Sequence, residues 1–403
     1  MRLCSVELIN FRNYGHLRLS FPGGTHIFHG SNAQGKTNLL EAIYLCTCAR
    51  SHRTGRDDEL VRQGEDFYRA SVGFVTDRGL SESVSIEYRR PPEKNGAPSR
   101  IILYNEMEIG RLADMMGLFH AILFAPEDLQ IVKGGPAERR RFLDILISRT
   151  DRTYFLDLQA YWRILAHRNR LLKSLRAREQ TEDAPAGKAS GLPVDSGTQL
   201  DVWDETLAGH AAAILEKRIR CVSLLSQYAS LSLQHLTGSK ESLELHYKGL
   251  AGLVTGMDRR AIASLYLERL IRAREDDLSR GSTSQGPHRD DMLILLNGSD
   301  ARVYASQGQQ RSAVLALKIA ELTILTEMTG EKPILLLDDV MSELDDARRS
   351  RLMEVIRDHQ VFITCTDPDP TGSGSDPDVW SGPVHFYRVK EGKVEPAKRP
   401  ETA

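Results

Sequence analysis

One octapeptide decides the fold of this 403-residue chain: it reads Gly30-Ser31-Asn32-Ala33-Gln34-Gly35-Lys36-Thr37. It matches the phosphate-loop pattern G-x-x-x-x-G-K-[ST] at every fixed position, after a run that predicts a strand and before one that predicts a helix. The glycines let backbone N–H groups approach phosphate oxygens, and the helix N-terminus adds positive potential. Lys36 supplies a charge for the terminal phosphates and Thr37 a ligand for Mg²⁺. All eight residues are therefore assigned to binding a nucleoside triphosphate, here ATP.

A second part of the site is expected far downstream, where residues 334–337 are four aliphatics that end in Asp338 and Asp339. A buried strand that ends in a carboxylate is the usual Mg²⁺-side arrangement in such hydrolases. We assign Asp338 to the metal together with Thr37, and Asp339 to orienting or deprotonating the attacking water. Lys36 completes the predicted catalytic set. Aspartate is shorter than the more common glutamate, so slow hydrolysis is expected; a solvated strand end is the alternative reading.

The long separation of these two parts predicts an insertion. Residues 136–178, 200–236 and about 259–275 have helical spacing, whereas strands are expected on both sides of that stretch and again over 292–304. We therefore predict an α/β ATPase head, with mixed and antiparallel sheets around the phosphate loop and an inserted, mainly helical arm. The predicted division is 1–135 and 276–403 for the head and 136–275 for the arm.

A serine-glycine-glutamine segment precedes a predicted helix in the last third of the chain, and it comprises Ser306, Gly308 and Gln309. Its backbone N–H groups and the serine are suited to capping a phosphate. Because it is expected on the side opposite the phosphate loop, it would meet the ATP of a second copy. Residues 342–345, Ser-Glu-Leu-Asp, follow the carboxylate pair and are placed to bridge the two copies.

These motifs together resemble the RecF family, within the ABC-type ATPase heads that transporters, SMC proteins and repair ATPases share. The resemblance covers nearly the whole chain and is carried by residues 8–14, 30–38, 50–53, 124–129, 139–144, 286–291, 305–309 and 337–339. It implies ATP-driven homodimerisation on gapped or single-strand–duplex DNA during gap repair and replication restart. It also implies a weak, DNA-dependent ATPase that acts with RecR and RecO and assists RecA loading.

By the same resemblance, Arg12 and Asn13 lie near the nucleotide, and Ser306, Gly308 and Gln309 complete the ATP site in trans. The sequence differs from the motifs of transporter ATPases at two places. The transporter signature Leu-Ser-Gly-Gly-Gln is here Ala-Ser-Gln-Gly-Gln at 305–309. The switch histidine of transporters is absent, and Thr-Cys-Thr-Asp occupies its region at 364–367.

A basic run is the candidate DNA contact. Six Lys and Arg residues and no acidic residue lie between positions 163 and 178, and only Arg168 falls within the apolar stripe of the predicted helix. The predicted DNA-binding residues are Arg163, Arg170, Lys173 and Arg176, and the alternative is an ordinary solvated helix face. No element resembles a base-reading helix, so binding that does not depend on sequence is expected.

Composition limits the remaining possibilities. Lys+Arg number 53 and Asp+Glu 55, so a formal net charge of −2 excludes a histone-like protein. Five scattered cysteines predict a reducing, cytoplasmic compartment without disulfides, and no membrane association is expected. A transporter ATPase subunit is the main rival, followed by an SMC-type structural ATPase and a metabolic kinase. Three roles stay open for His288 and Arg289: a switch, a DNA contact and a buried His–Asp pair. Residues 179–199 are either an insertion or a partner site.

Overall fold

The computed structural model describes residues 1–91, 98–180, 194–254, 256–367 and 382–398. These residues form two compact units. One contains Met1–Lys133, Gln227–Glu244 and Leu295–Ala403, and the other contains Gly134–Ser226 and Leu245–Ile294. The predicted division at 135 and 275 has a similar first boundary, but the second stretch of the helical unit ends at Ile294. The open question about residues 179–199 falls mainly outside the described residues.

The described residues contain 15 strands and ten α-helices. The strands are β1 Arg2–Phe11, β2 Tyr14–Ser20, β3 Thr25–His29, β4 Phe67–Val75, β5 Ser81–Arg89, β6 Ser99–Tyr104, β7 Met107–Glu108, β8 Ala121–Phe124, β9 Leu243–Lys248, β10 Asp291–Leu296, β11 Ser299–Asp300, β12 Ile334–Asp338, β13 Val361–Cys365, β14 Val384–Lys390 and β15 Lys393–Ala397. The helices are α1 Lys36–Cys48, α2 Gln130–Lys133, α3 Pro136–Thr150, α4 Arg152–Gln180, α5 Val194–Thr237, α6 Arg259–Arg272, α7 Arg274–Arg280, α8 Ala301–Tyr304, α9 Gln307–Thr329 and α10 Asp346–Ile356.

A mainly parallel sheet forms the base of the site, in the order β15-β14-β3-β13-β12-β8. The strands β14, β3, β13, β12 and β8 are parallel to their neighbours, and only the β14–β15 pair is antiparallel. Every residue of β8, β12 and β13 is buried, as expected for the near-continuous apolar runs of a covered parallel sheet. The carboxyl ends of β3, β13 and β12 therefore share one edge, where three loops meet.

A second, antiparallel sheet has the order β2-β1-β4-β5-β6-β7. Strand β4 shows why it is stable, because half-buried and buried residues alternate along its whole length. Helix α1 contacts strands of both sheets and buries 11 of its 13 residues. The helix that begins at the phosphate loop is thus the centre of the core of this unit.

The second unit is mainly helical, as predicted, but its helices are divided differently. The run 136–178 is two helices, because Asp151 has an extended backbone and its side chain accepts hydrogen bonds from the N–H groups of Thr153 and Tyr154. The expected strands over 292–304 end at Asp300, and residues 301–304 form the short helix α8. Among the described residues no helix has both the length and the apolar character needed to cross a bilayer.

Candidate nucleotide site

The phosphate loop joins β3 to α1 in a backbone conformation that its glycines permit. Gly30 has φ 152°, and a Cβ at that position would lie 2.4 Å from the carbonyl oxygen of Val389. Gly35 has φ 117° and precedes the first residue of α1. Ala33 also has a positive φ, 64°. The loop therefore has the tight, left-handed turns that a backbone anion site requires.

Lys36 lies inside this loop and is buried. Its Nζ donates to the carbonyl oxygens of Gly30, at 2.6 Å, and Ser31, at 2.9 Å. Burial lowers the pKa of the Lys36 ammonium, an effect that the nearby Asp339, Cys365 and Asp338 partly offset. A buried ammonium held by neutral carbonyls gains electrostatically when an anion enters the loop.

Three oxygens from three different elements meet beside the lysine. The hydroxyl of Thr37, at the start of α1, donates to Oδ1 of Asp338 at 3.0 Å, and the hydroxyl of Thr364, near the end of β13, donates to the same oxygen at 2.6 Å. Burial raises the pKa of Asp338, and the two hydroxyl hydrogen bonds oppose that rise. The structure thus brings Thr37 and Asp338 together as predicted and adds Thr364.

Asp339 follows at the end of β12, with the left-handed φ of 54°. Its N–H donates to the carbonyl oxygen of Thr364 at 3.2 Å and to the Thr364 hydroxyl at 3.1 Å. The hydroxyl of Ser342 donates to Oδ1 of Asp339 at 3.1 Å. The two strands β12 and β13 therefore fix the backbone of this carboxylate, and the serine orients its side chain.

Asn13 and Arg12 make different contacts near the start of α1. The Asn13 amide donates to the carbonyl oxygen of Gln34 at 2.9 Å, so it supports the phosphate loop directly. The Arg12 guanidinium instead forms a bidentate pair with Glu41, at 2.8 and 2.9 Å. Although burial raises the pKa of Glu41, hydrogen bonds from Arg12 and Ser51 outweigh that effect and hold the pKa below its usual range. No atom of Arg12 contacts the phosphate loop through a hydrogen bond among the described residues.

The Ser306 segment caps α9. The Ser306 hydroxyl accepts from the N–H of Gln309 at 3.3 Å, and the Gln309 side chain accepts from the N–H of Ser306 at 2.9 Å, which is a capping box. Ser306 and Gly308 are exposed, and a Cβ on Gly308 would meet no atom within 4 Å. Gln309 is half-buried, and its Nε2 donates to Glu241 at 3.0 Å. Within the described chain no hydrogen bond joins this segment to the phosphate loop.

The cations of α4 separate into two groups. Arg163, Arg170, Lys173 and Arg176 are exposed. Arg168 is fully buried, where it pairs with Asp204 at 2.6 Å and Asp277 at 2.7 Å. The predicted position of Arg168 within the apolar stripe is therefore confirmed, and its charge is neutralised inside the unit.

His288 does not form the His–Asp pair that was one of its three open roles. Its Nδ1 lies 2.6 Å from the hydroxyl of Tyr161, and its Nε2 lies 3.1 Å from the carbonyl oxygen of Thr283. Because the carbonyl only accepts, Nε2 carries the proton and Nδ1 accepts from the tyrosine. Burial lowers the pKa of His288 to about 4, so the imidazole is neutral at physiological pH. Asp290 pairs instead with the hydroxyl of Tyr247, at 2.6 Å.

Two residues of the site, Thr364 and Glu41, were not among the predicted site residues. The only sequence signal for the first was its position in the region where a switch histidine was expected. Glu41 is a buried acid on an apolar helix, which is a signal that sequence reasoning could have used. No group of three or more His, Cys, Asp or Glu residues in the described parts of the chain is arranged to hold a metal by itself.

The chain is similar to known proteins over almost its whole length. The family model described as the RecF/RecN/SMC N terminal domain matches residues 2–374. "DNA replication and repair protein RecF" of Ruminiclostridium cellulolyticum is 39% identical over 390 residues, which cover 97% of this chain and 98% of that protein. The protein of the same name from Bacillus subtilis is 39% identical over 370 residues, or 92% of this chain and 94% of that one.

Solved structures give the same result. The "recombination mediator protein RecF-ATP in RecFOR pathway" matches with a TM-score of 0.85, 35% identity and 98% coverage of both chains. The Smc head domain of Pyrococcus furiosus matches at 15% identity with a TM-score of 0.52, and shows the fold alone. The predicted fold class, an α/β ABC-type ATPase head with a helical insertion, is thereby confirmed. With a family model over most of its length and full-length relatives at this identity, the chain belongs to the RecF family.

Proposed function

We propose that this chain is an ATP-dependent DNA-binding protein of gap repair and replication restart. The observation that carries the proposal is the hydrogen bond between Thr37 and Asp338, which closes a phosphate site from residues 301 positions apart. The relatives at 38–39% identity are named DNA replication and repair proteins, and a structural neighbour is titled as an ATP complex. The full-length similarity favours this function over a transporter ATPase subunit, whose intact switch histidine the chain lacks.

ATP fits the phosphate loop because the loop holds a buried ammonium and leads directly into the N-terminus of α1, which favours an anion. Mg²⁺ fits beside it, since a hydroxyl and a carboxylate oxygen, the donors that this hard cation prefers, already lie 3.0 Å apart. Thr37 and Asp338 would hold the cation, which when bound would offset the negative charge of the phosphates. Lys36 would exchange its two carbonyl partners for phosphate oxygens.

Hydrolysis depends on Asp339 in this proposal. Its backbone is fixed by β13, and its carboxylate accepts from Ser342, so it is positioned to orient a water molecule and take its proton. The shorter side chain reaches less far than a glutamate would, which supports weak hydrolysis. Its dependence on DNA is proposed on the family relationship alone. Such an enzyme acts as a slow switch.

The second copy is proposed to complete the site through Ser306, Gly308 and Gln309. The capping box leaves the first turn of α9 open to an anion, and two large apolar side chains directly before it are exposed: Val303 by 65% and Tyr304 by 75%. An exposed apolar pair beside a helix N-terminus suits a surface that another copy covers. ATP-dependent homodimerisation would bury both features at once.

DNA is proposed to lie along the exposed cations of α4, Arg163, Arg170, Lys173 and Arg176. Each phosphate contact releases bound counterions, so affinity should fall steeply with salt. RecR and RecO are proposed as protein partners on the family relationship alone. RecA loading would follow from that assembly.

The deciding experiment is fluorescence anisotropy of a gapped duplex titrated with the chain, with and without ATP. Tighter binding with ATP, lost in Lys36→Ala, is the expected result. Lys332→Ala is the matched control, because this exposed lysine lies in the same unit but away from the loop. Folded, ATP-binding protein that binds no DNA in either state would refute the proposal.

A further inference from the structure

The exposed face of α4 carries one large aromatic side chain among its cations. Trp162 is 50% exposed and precedes the exposed Arg163. Helical periodicity places Lys173, about three turns further on, almost directly in line with Trp162. The buried residues of this stretch, Ile164, Leu165, Arg168, Leu172 and Leu175, lie roughly 60° to 160° around the helix from Trp162, so Trp162 is at the edge of the exposed face.

The cations on this face are available to a ligand. In the described parts of the chain, Arg163, Arg170, Lys173 and Arg176 form no ion pair with an acidic side chain, and residues 158–178 include no acid. The acid just before them, Asp157, faces His210 at 2.9 Å. Arg289, next to His288, is exposed as well. The face therefore has a positive charge that no acidic side chain among the described residues of this unit neutralises through an ion pair.

The indole ring is held in place from one side. Trp162 contacts Tyr161 and His288 edge to face, with ring centroids 6.1 and 6.2 Å apart. His288 is in turn held by the Tyr161 hydroxyl and the carbonyl oxygen of Thr283. A ring fixed in this way loses little conformational entropy when a second ring stacks on it.

We infer that Trp162 stacks on an unpaired base of DNA whose phosphates lie along the basic face of α4. This inference rests on the proposed function and deepens it, because it specifies the unpaired part of a gapped substrate as the ligand of this surface. Bases inside a duplex are already stacked on each other, whereas an unpaired base offers an open π-face. An aromatic side chain beside several cations suits single-stranded DNA, because the ring can stack on a base while the cations contact phosphates. From Trp162 to Arg176 the helix spans about 21 Å, enough for several nucleotides.

The test compares two probes in anisotropy titrations with ATP: a blunt duplex, and the same duplex with an oligo-dT tail. Trp162→Ala should bind the tailed probe about tenfold more weakly and the blunt probe unchanged. Lys173→Gln should weaken both, and its plot of log affinity against log salt should be shallower by about 0.7 to 0.9. Ile271→Ala, an exposed apolar position on α6 of the same unit, should leave both affinities unchanged.

A second measurement needs no substitution at Trp162. The chain has three tryptophans, so Trp203→Phe together with Trp380→Phe leaves Trp162 as the only one. Oligo-dT should then quench the fluorescence, and the blunt duplex should quench it much less.

The outcomes separate the two proposals. If the tailed probe binds Trp162→Ala as well as the unsubstituted chain and oligo-dT does not quench Trp162, stacking is refuted while DNA binding stands. If Trp162→Ala impairs only the binding of RecR or RecO, the face is a protein interface and the inference is equally wrong. If the unsubstituted chain binds neither probe, the proposed function itself fails.

Discussion

The same substitution at two arginines of α4, two positions apart, should change two different properties of the chain. Arg168→Gln removes a fully buried guanidinium that donates to Asp204 at 2.6 Å, Asp277 at 2.7 Å and Thr283 at 2.8 Å. Arg170→Gln removes an exposed guanidinium that makes no ion pair in the described part of the chain. The first should act on the stability of the helical unit, and the second on DNA binding.

The free-energy cost of Arg168→Gln depends on the two buried carboxylates that lose their partner. Both partner carboxylates are fully buried, and breaking a buried ion pair by removing one partner costs about 3–5 kcal/mol. Each carboxylate keeps one other donor: Asp204 retains Arg274 at 2.8 Å, and Asp277 retains the N–H of Ser284 at 2.8 Å. The loss should therefore lie near the lower bound, at about 3 kcal/mol of the free energy of unfolding. For Arg170→Gln we expect a change within about 0.5 kcal/mol.

Urea unfolding followed by tryptophan fluorescence measures both changes. Trp203 reports on the relevant unit, because it precedes Asp204 and stacks on His167 with ring centroids 5.2 Å apart. Adding Asp204→Asn and Asp277→Asn to Arg168→Gln should recover part of the stability, since no unpaired buried charge remains. Equal destabilisation by Arg168→Gln and Arg170→Gln would refute the assignment, as would a failure of the two asparagines to restore any stability.

Three further outcomes are expected. Thr364→Val should weaken ATP binding in the presence of Mg²⁺ about tenfold, because the carboxylate of Asp338 loses a hydrogen-bond donor worth about 1.5 kcal/mol. Thr47→Val is the control and should not weaken binding, since it removes a buried hydroxyl that donates only to a backbone carbonyl. Nucleotide titrations of the two variants test this. Burial lowers the pKa of His288 to about 4, so the folded chain favours the neutral ring. The free energy of unfolding, relative to that of His288→Gln, should therefore fall by up to about 3 kcal/mol as the pH drops from about 6.5 to 4, and should show no titration of this group above that range. Urea midpoints measured at several pH values test this. Gly30→Ala should abolish ATP binding, because its Cβ would lie 2.4 Å from the carbonyl oxygen of Val389. Gly308→Ala should leave nucleotide binding by a single copy intact, since its Cβ would meet no atom within 4 Å. Equal nucleotide binding by both variants would contradict the assignment of Gly30 to the phosphate loop.

The parts of the nucleotide site that consist of consecutive residues could be predicted from the sequence. A phosphate loop and a strand that ends in aspartate are local patterns, so Lys36, Thr37 and Asp338 could be placed together without a structure. Thr364 could not, because its role depends on β13 lying between β3 and β12, and that strand order is a tertiary property. The resemblance implies that Arg12 lies near the nucleotide, which stays a prediction. The sequence could not show that its guanidinium pairs with the buried Glu41, because that acid lies on a different element.

The helical arm was predictable in type but not in its divisions. Apolar periodicity continues through Asp151 because the residues on both sides are core-facing, and only the extended backbone at that position separates α3 from α4. Helix α5 has 44 residues, and the division between the compact units falls within it, after Ser226. No change in composition marks that point, since a helix continues across it.

The strand order also has a consequence for synthesis on the ribosome. Strand β3, which leads into the phosphate loop, pairs with β13 and β14, whose first residues are Val361 and Val384. At a synthesis rate of about 5 to 20 residues per second, roughly 15 to 70 seconds separate the emergence of the loop from that of its flanking strands. A nascent chain, or a product that terminates early, therefore has the phosphate-loop sequence without the sheet that shapes it. Nucleotide would be bound only by chains whose translation is nearly finished.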